Sequence, residues 1–172
     1  FFDVESVWPK LEQALRQAIS NLVAMRETEG SNIYGDFIKR ADLIAEKLAV
    51  IEERSPQVVE EYQIRLSDRI NELLAKHNQV IEPERLLQEV AIFADRTSIT
   101  EEIVRLKSHI KQFKLIIDAD QPVGRKLDFL IQEFNREANT IASKANDYTL
   151  AQVVVEIKAE IEKIREQIQN IE

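Results

Sequence analysis

The sequence has no cysteine, three glycines and four prolines. Without cysteine there is neither a disulfide framework nor a thiolate metal site. So few turn-forming residues argue against an all-β fold, which needs many tight turns. No apolar run approaches the roughly 20 residues that span a bilayer, and no signal-peptide pattern is present. We therefore expect a cytoplasmic protein without membrane contact, and the start at Phe1 rather than Met indicates a piece of a longer chain.

The composition that remains is typical of helices. Hydrophobic residues make up 44% and charged residues 31% of the chain, so a core and a strongly ionised surface are both available. Leu, Ala, Glu, Lys, Gln and Arg are abundant, and all are strong helix formers. The net charge of −8 disfavours nucleic-acid binding unless basic residues cluster locally.

Apolar residues recur along the chain at alternating spacings of three and four, which places them on one face of a helix. The most regular row closes the sequence. The fold class that these rows predict is all-α, with extended antiparallel helical hairpins or a bundle with coiled-coil-like seams. The rows run from Leu11 to Met25, Phe37 to Ile51, Val59 to Leu73, Leu86 to Phe93, Ile99 to Ile117, Leu127 to Ala145 and Leu150 to Ile171.

Phase changes and turn residues divide these rows. We expect a break or slip at 30–35, a turn and new helix start at 55–56, loops at 77–82 and 118–124, and a break at 146–147. The domain organisation that follows is a long helical hairpin region over residues 1–82 and a C-terminal helical domain over residues 83–172.

Three helix starts carry recognisable signals. Ser55 is predicted to cap a helix with Pro56 in its first position. Ser98 and Glu101 have the spacing of a capping box. Asp147 is predicted to cap the last helix.

The residues available for chemistry are mainly carboxylates. The sequence has no Gly-rich phosphate loop, no His-Glu-x-x-His and no nucleophile elbow. With two histidines and no cysteine, the natural cofactor is a hard divalent cation, Mg or Mn, held by Asp and Glu oxygens.

Segment 101–109 is the first candidate site. Glu102 and His109 flank the same edge of an apolar row but lie about 10 Å apart along the helix, so a metal there needs ligands from a second helix. A structural interpretation competes and is the commoner one, with Glu101 in the capping box and Glu102 paired to Arg105. The acid-free row Arg105, Lys107, Lys111 and Lys114 is suited to phosphate, although such rows are more often a solvated flank.

Segment 132–144 is the second candidate site. Glu133, Glu137 and Lys144 share one side of the helix, and a row of amides and hydroxyls lies beside them. Asn, Thr and Ser are mediocre helix formers, so their use here indicates a polar surface with partners. A ligand and a neighbouring helix are equally good candidates for those partners.

Three stretches resemble the YicC-like endoribonuclease family. They are EEIVRLKSH at 101–109, PVGRKLDFLIQEFNREANTIASKAND at 122–147 and VEIKAEIEKIREQIQNIE at 155–172, and MRETEG at 25–30 also looks like a family motif. The resemblance is dense from Arg85 to Glu172. The family usually has Asp where this chain has Ser98, a change that is harmless if the residue caps a helix.

The resemblance implies a metal-dependent endoribonuclease that acts on RNA as a homo-oligomer, with a hexamer suspected, and that carries an N-terminal domain before this region. The roles within the site are assigned on chemical grounds. Glu102, Glu133 and Glu137 are predicted to hold the metal, and His109, Glu102 and Glu137 to be catalytic, with His109 as an acid/base or a ligand. The alternative is a non-catalytic helical scaffold that only oligomerises. The predicted RNA-binding residues are Arg105, Lys107, Lys111, Arg125, Lys126, Arg136 and Lys144.

Overall fold

The computed structural model describes residues 4–76, 82–119 and 121–171. Within these residues every regular element is an α-helix, so the predicted all-α class is confirmed. None of the described helices has a stretch long and apolar enough to cross a membrane. The helices are α1 Val4–Ala75, α2 Pro83–Thr97, α3 Thr100–Ile117, α4 Gly124–Lys144 and α5 Tyr148–Ile168.

Helix α1 continues through both positions where the sequence predicts an interruption. Of the break or slip predicted at 30–35, the break is wrong, because a glycine costs only about 1 kcal/mol in a helix interior and does not by itself end one. A slip within a continuous helix is compatible with α1. The predicted turn at 55–56 is also wrong. Arg54 spans that turn by bonding to Glu61, and Val58 is buried one turn beyond Ser55, so side-chain contacts outweigh the local signal of Pro56. Most of the loop predicted at 77–82 lies outside the described residues.

Contacts group the chain into two compact units, Phe1–Ile38 and Lys39–Glu172. In the first unit the predicted apolar row is exposed, from Leu11 at 56% to Met25 at 59%. Its role as a coiled-coil seam, like the division of the chain at residues 82 and 83, stays a prediction.

The second unit is built on α3, α4 and α5. Helix α4 packs against both of the others, and the short connections between them make successive helices antiparallel. The apolar rows predicted for these helices form the core. Its fully or almost fully buried side chains include Leu106, Phe113, Leu127, Ile131, Phe134, Ile141, Ile157, Ile161 and Ile164.

The part of α1 that belongs to the second unit joins this core through Ala41, Ile44, Leu48, Ile51 and Val58. Ion pairs flank its buried face on both sides. They link it to α3 through Asp42–Lys114 and Glu52–Lys107, and to α5 through Arg40–Glu160 and Lys47–Glu156. Residue numbers rise along α1 as they fall along its partners, so this segment runs antiparallel to both helices.

The predicted helix caps have different outcomes. Asp147 caps α5 as predicted, because its carboxylate accepts a hydrogen bond from the Leu150 amide at 2.9 Å. The Arg54 guanidinium, also 2.9 Å from Asp147, holds the pKa of that carboxyl below its ordinary range. The capping box at Ser98 is not formed: Ser98 ends α2, and the buried Ile99 takes the N-cap position of α3 without a side-chain bond. The harmless-cap interpretation of Ser98 therefore loses its support.

Candidate active site

Three of the predicted site residues meet between α3 and α4. One ligand atom each from His109, Glu133 and Glu137 lies within 4.8 Å of the others. The two glutamates are one turn apart on α4, and the histidine faces them from α3. This arrangement supplies the second helix that a metal site containing His109 requires. We call these three residues the acidic cluster.

Glu137 is buried because it occupies a core position of α4. It follows Phe134 by three residues and precedes Ile141 by four, and both neighbours are fully buried. Sequence reasoning placed Glu137 on a polar face and missed this. The sequence signal for its burial was the spacing, because Glu137 occupies a position of the apolar row of α4.

The charge of Glu137 is poorly compensated for its depth. Only 3% of the residue is exposed, and its one ionic partner among the described residues is Arg105, with Nη1 at 3.8 Å from Oε1. Arg105 is half exposed and also pairs with Glu101. Because a buried carboxylate is costly unless paired and hydrogen-bonded, the geometry favours an additional cation beside Glu137.

The ring nitrogen Nδ1 of His109 is buried and has no hydrogen-bond partner among the described residues. The ring stacks on Phe134, with centroids 6.4 Å apart and planes 22° apart. A buried imidazole nitrogen is normally hydrogen-bonded or bound to a metal. Together with the carboxylates, the histidine is a donor set that fits a divalent cation of the first transition series or Mg²⁺.

Glu102 lies in a separate ion pair. Its carboxylate accepts a hydrogen bond from Lys144 at 2.6 Å, and its second oxygen, Oε2, is buried with no hydrogen-bond partner in the described part of the chain. Burial by itself raises the pKa of Glu102, but the hydrogen bond from Lys144 and the nearby Arg105 outweigh it, so the pKa lies below its ordinary value. Glu102 and Lys144, both predicted site residues, thus form an ion pair with each other.

This pair has a measurable effect on stability. Replacing Lys144 with methionine removes the hydrogen-bonded cation from the buried Glu102 carboxylate and leaves the nearby Arg105. We expect a loss of about 1–2 kcal/mol in the free energy of unfolding at pH 7, limited because Lys144 is partly exposed. Urea unfolding measures the change. Lys158→Met is the matched control, since Lys158 is an exposed lysine of α5.

The loss of stability in Lys144→Met should be larger at neutral pH than at low pH. The pKa of Glu102 is depressed in the folded state, so the stabilisation is present above the unfolded-state value of 4.5 and disappears as the pH falls through the folded-state pKa. The difference between wild type and Lys144→Met should therefore narrow below pH 4.5. An equal difference at pH 7 and at low pH would contradict an ionic origin.

The predicted RNA-binding residues are placed in different surroundings. Lys107 pairs with Glu52 of α1 at 2.6 Å, Arg136 lies 3.7 Å from Glu133, and Lys111 is exposed. Arg125 and Lys126 line an open pocket that also includes His109 and Glu133 of the acidic cluster. Arg125 and Lys126 thus share this pocket with two residues of the cluster.

Comparison with known proteins identifies the family. Residues 51–172 match the family model described as "Endoribonuclease YicC-like, C-terminal". Over 170 residues, 99% of the chain, it is 52% identical to a protein of Clostridioides difficile (strain 630) named "Probable endoribonuclease YicC" and 36% identical to one of the same name from Haemophilus influenzae. The chain spans 58% of the length of each of these relatives. By family model and by sequence identity, this chain belongs to the YicC-like endoribonuclease family.

Proposed function

We propose that the protein cleaves RNA phosphodiesters with a divalent cation held by His109, Glu133 and Glu137. The observation that carries the proposal is the buried carboxylate of Glu137, within 4.8 Å of two further potential ligands and with one distant ionic partner. The relatives' names supply the reaction class. Glu102 is not part of this ligand set, because its carboxylate is already bonded to Lys144.

The chain's own residues supply most of what such a reaction needs. A bound Mg²⁺ or Mn²⁺ would act as a Lewis acid on a phosphoryl oxygen or a water molecule. The cations of Arg125, Lys126 and Arg105 neutralise the phosphodiester charge. The His109 ring stacks on Phe134, and one of its nitrogens lies within 4.8 Å of a carboxylate oxygen of Glu133 and of Glu137.

The experiment that tests the proposal is cleavage of an end-labelled RNA by the natural full-length protein, with and without a chelator. We expect cleavage to stop in the presence of the chelator and to return when Mg²⁺ or Mn²⁺ is added in excess. Cleavage at an unchanged rate in chelator would overturn the metal requirement. No cleavage under either condition would overturn the nuclease function.

A scaffold that only oligomerises is the second candidate function. The observation in its favour is the exposed apolar row of the first unit, which includes Leu11, Leu15, Leu22 and Met25 at 50–59% exposure. Large exposed apolar patches commonly mark contacts between protein chains. Self-association, including the suspected hexamer, is compatible with either function, whereas RNA cleavage distinguishes them.

A further inference from the structure

An open pocket lies beside the acidic cluster, between α3 and α4. Its volume is about 400 Å³, within the range of about 300–1,000 Å³ that is typical of ligand sites. His109 and Glu133 belong both to the cluster and to the pocket wall. A molecule in the pocket would therefore lie directly against the proposed metal ligands.

The pocket presents an exposed aromatic ring between apolar and cationic groups. Phe129 is 65% exposed, while the adjacent Leu130 is 4% exposed and closes the apolar wall. Arg125 and Lys126 precede Phe129 by four and three residues, so they share its face of α4. Neither cation forms an ion pair with any residue in the described part of the chain.

The positive charges of Arg125 and Lys126 destabilise the start of helix α4. They lie in the first turn of α4, which contains no acidic residue. The positive end of the helix dipole disfavours cations in that turn. An anionic ligand would relieve this repulsion, and the exposed ring offers a flat apolar surface beside it.

We propose that this pocket binds one nucleotide of a single-stranded RNA, with its base stacked on Phe129 and its phosphate neutralised by Arg125 and Lys126. The inference rests on the proposed nuclease function and adds the substrate class. A base inside a duplex is stacked on its neighbours and cannot lie against Phe129, whereas an unpaired base can. Stacking uses the face that every base has, so the pocket accepts any of the four bases.

The test is equilibrium binding of a fluorescent single-stranded RNA to the natural full-length protein, with a chelator present to prevent cleavage. We expect Phe129→Ala to weaken binding by about 5- to 140-fold, the range that loss of one base–aromatic stack produces. Phe129→Trp should restore it. Tyr148→Ala, which removes an aromatic side chain 83% exposed and outside the pocket, should leave binding unchanged.

Two further measurements separate stacking from charge. With an oligonucleotide that carries ribose and phosphate but no bases, Phe129→Ala should have no effect. The double variant Arg125→Gln, Lys126→Gln should reduce the magnitude of the slope of log affinity against log salt by about 0.7, because the two cations neutralise one phosphate of a single strand. Phe129→Ala should leave that slope unchanged, because stacking releases no counterions.

The outcomes distinguish this inference from the nuclease proposal. Unchanged RNA binding by Phe129→Ala, with cleavage still metal-dependent, would overturn the stacking site alone. A changed mass of the protein assembly in Phe129→Ala would also overturn it, because the pocket would then be a contact between copies of the chain. Base-dependent binding without any cleavage would support the nucleotide site and overturn the nuclease.

Discussion

Replacing Glu137 with glutamine should abolish RNA cleavage and leave the fold intact. Glutamine keeps the shape and helix propensity of glutamate but loses the negative charge that a hard cation requires. Substitution of groups that only support a metal ligand typically costs about 10- to 100-fold in affinity or activity, so loss of a ligand should exceed about 100-fold. Cleavage of labelled RNA measures the effect, while circular dichroism and mass report the fold.

Cation-dependent stability provides a readout that does not depend on activity. If the acidic cluster binds Mn²⁺, the metal increases the free energy of unfolding of the wild type, by about 2.7 kcal/mol at one hundred times the dissociation constant. The melting temperature rises accordingly. Glu137→Gln should lose most of this increase. Glu166→Gln, an exposed glutamate of α5 outside the cluster, should retain both the increase and the cleavage.

The competing interpretation of Glu137 is a structural partner of Arg105. The 3.8 Å separation and the half-exposed arginine limit that pair to about 1 kcal/mol or less. A variant with a lowered melting temperature in chelator and normal cleavage would establish the structural role. Glu137 would then have to be removed from the proposed ligand set.

Replacing Phe134 with alanine should cost about 3–5 kcal/mol in the free energy of unfolding. Phe134 is fully buried, and its ring lies 5.9 Å from that of Phe113 and 6.4 Å from that of His109, measured between centroids. The substitution leaves a cavity in the core and removes both ring contacts. The change in urea midpoint measures the loss, provided that the slope of the transition stays constant.

The same helix offers a matched control for this substitution. Phe129 lies five residues earlier on α4 and is 65% exposed, so Phe129→Ala should alter stability by less than about 0.5 kcal/mol. Phe134→Leu, which keeps most of the apolar volume, should cost less than about 1.5 kcal/mol. Equal losses for the two alanine variants would contradict the assignment of the core face of α4.

The local sequence determined the class of the fold and the inward faces of α3, α4 and α5. Helical periodicity is a local property: residues three and four apart share a face whatever the helix packs against. The apolar rows therefore predicted the core that the structure shows. The cap at Asp147 was predictable for the same reason, because its bond reaches only three residues along the chain.

Local signals failed where distant side chains outweigh them. The turn expected at Ser55 and Pro56 does not form, since Arg54 bonds to Glu61 beyond it and to Asp147 at the N-cap of α5. The capping box at Ser98 fails because burial of Ile99 places that residue at the helix start.

The tertiary structure alone decided which charged residues meet. Composition indicated carboxylates and a histidine as possible metal ligands, but residue type alone did not distinguish Glu102, Glu133 and Glu137. Packing of α4 against α3 brings two of them to His109 and leaves Glu102 with Lys144. That choice depends on the axial register and rotation of two helices, which are set by their interlocking core side chains and not by the spacing within either helix.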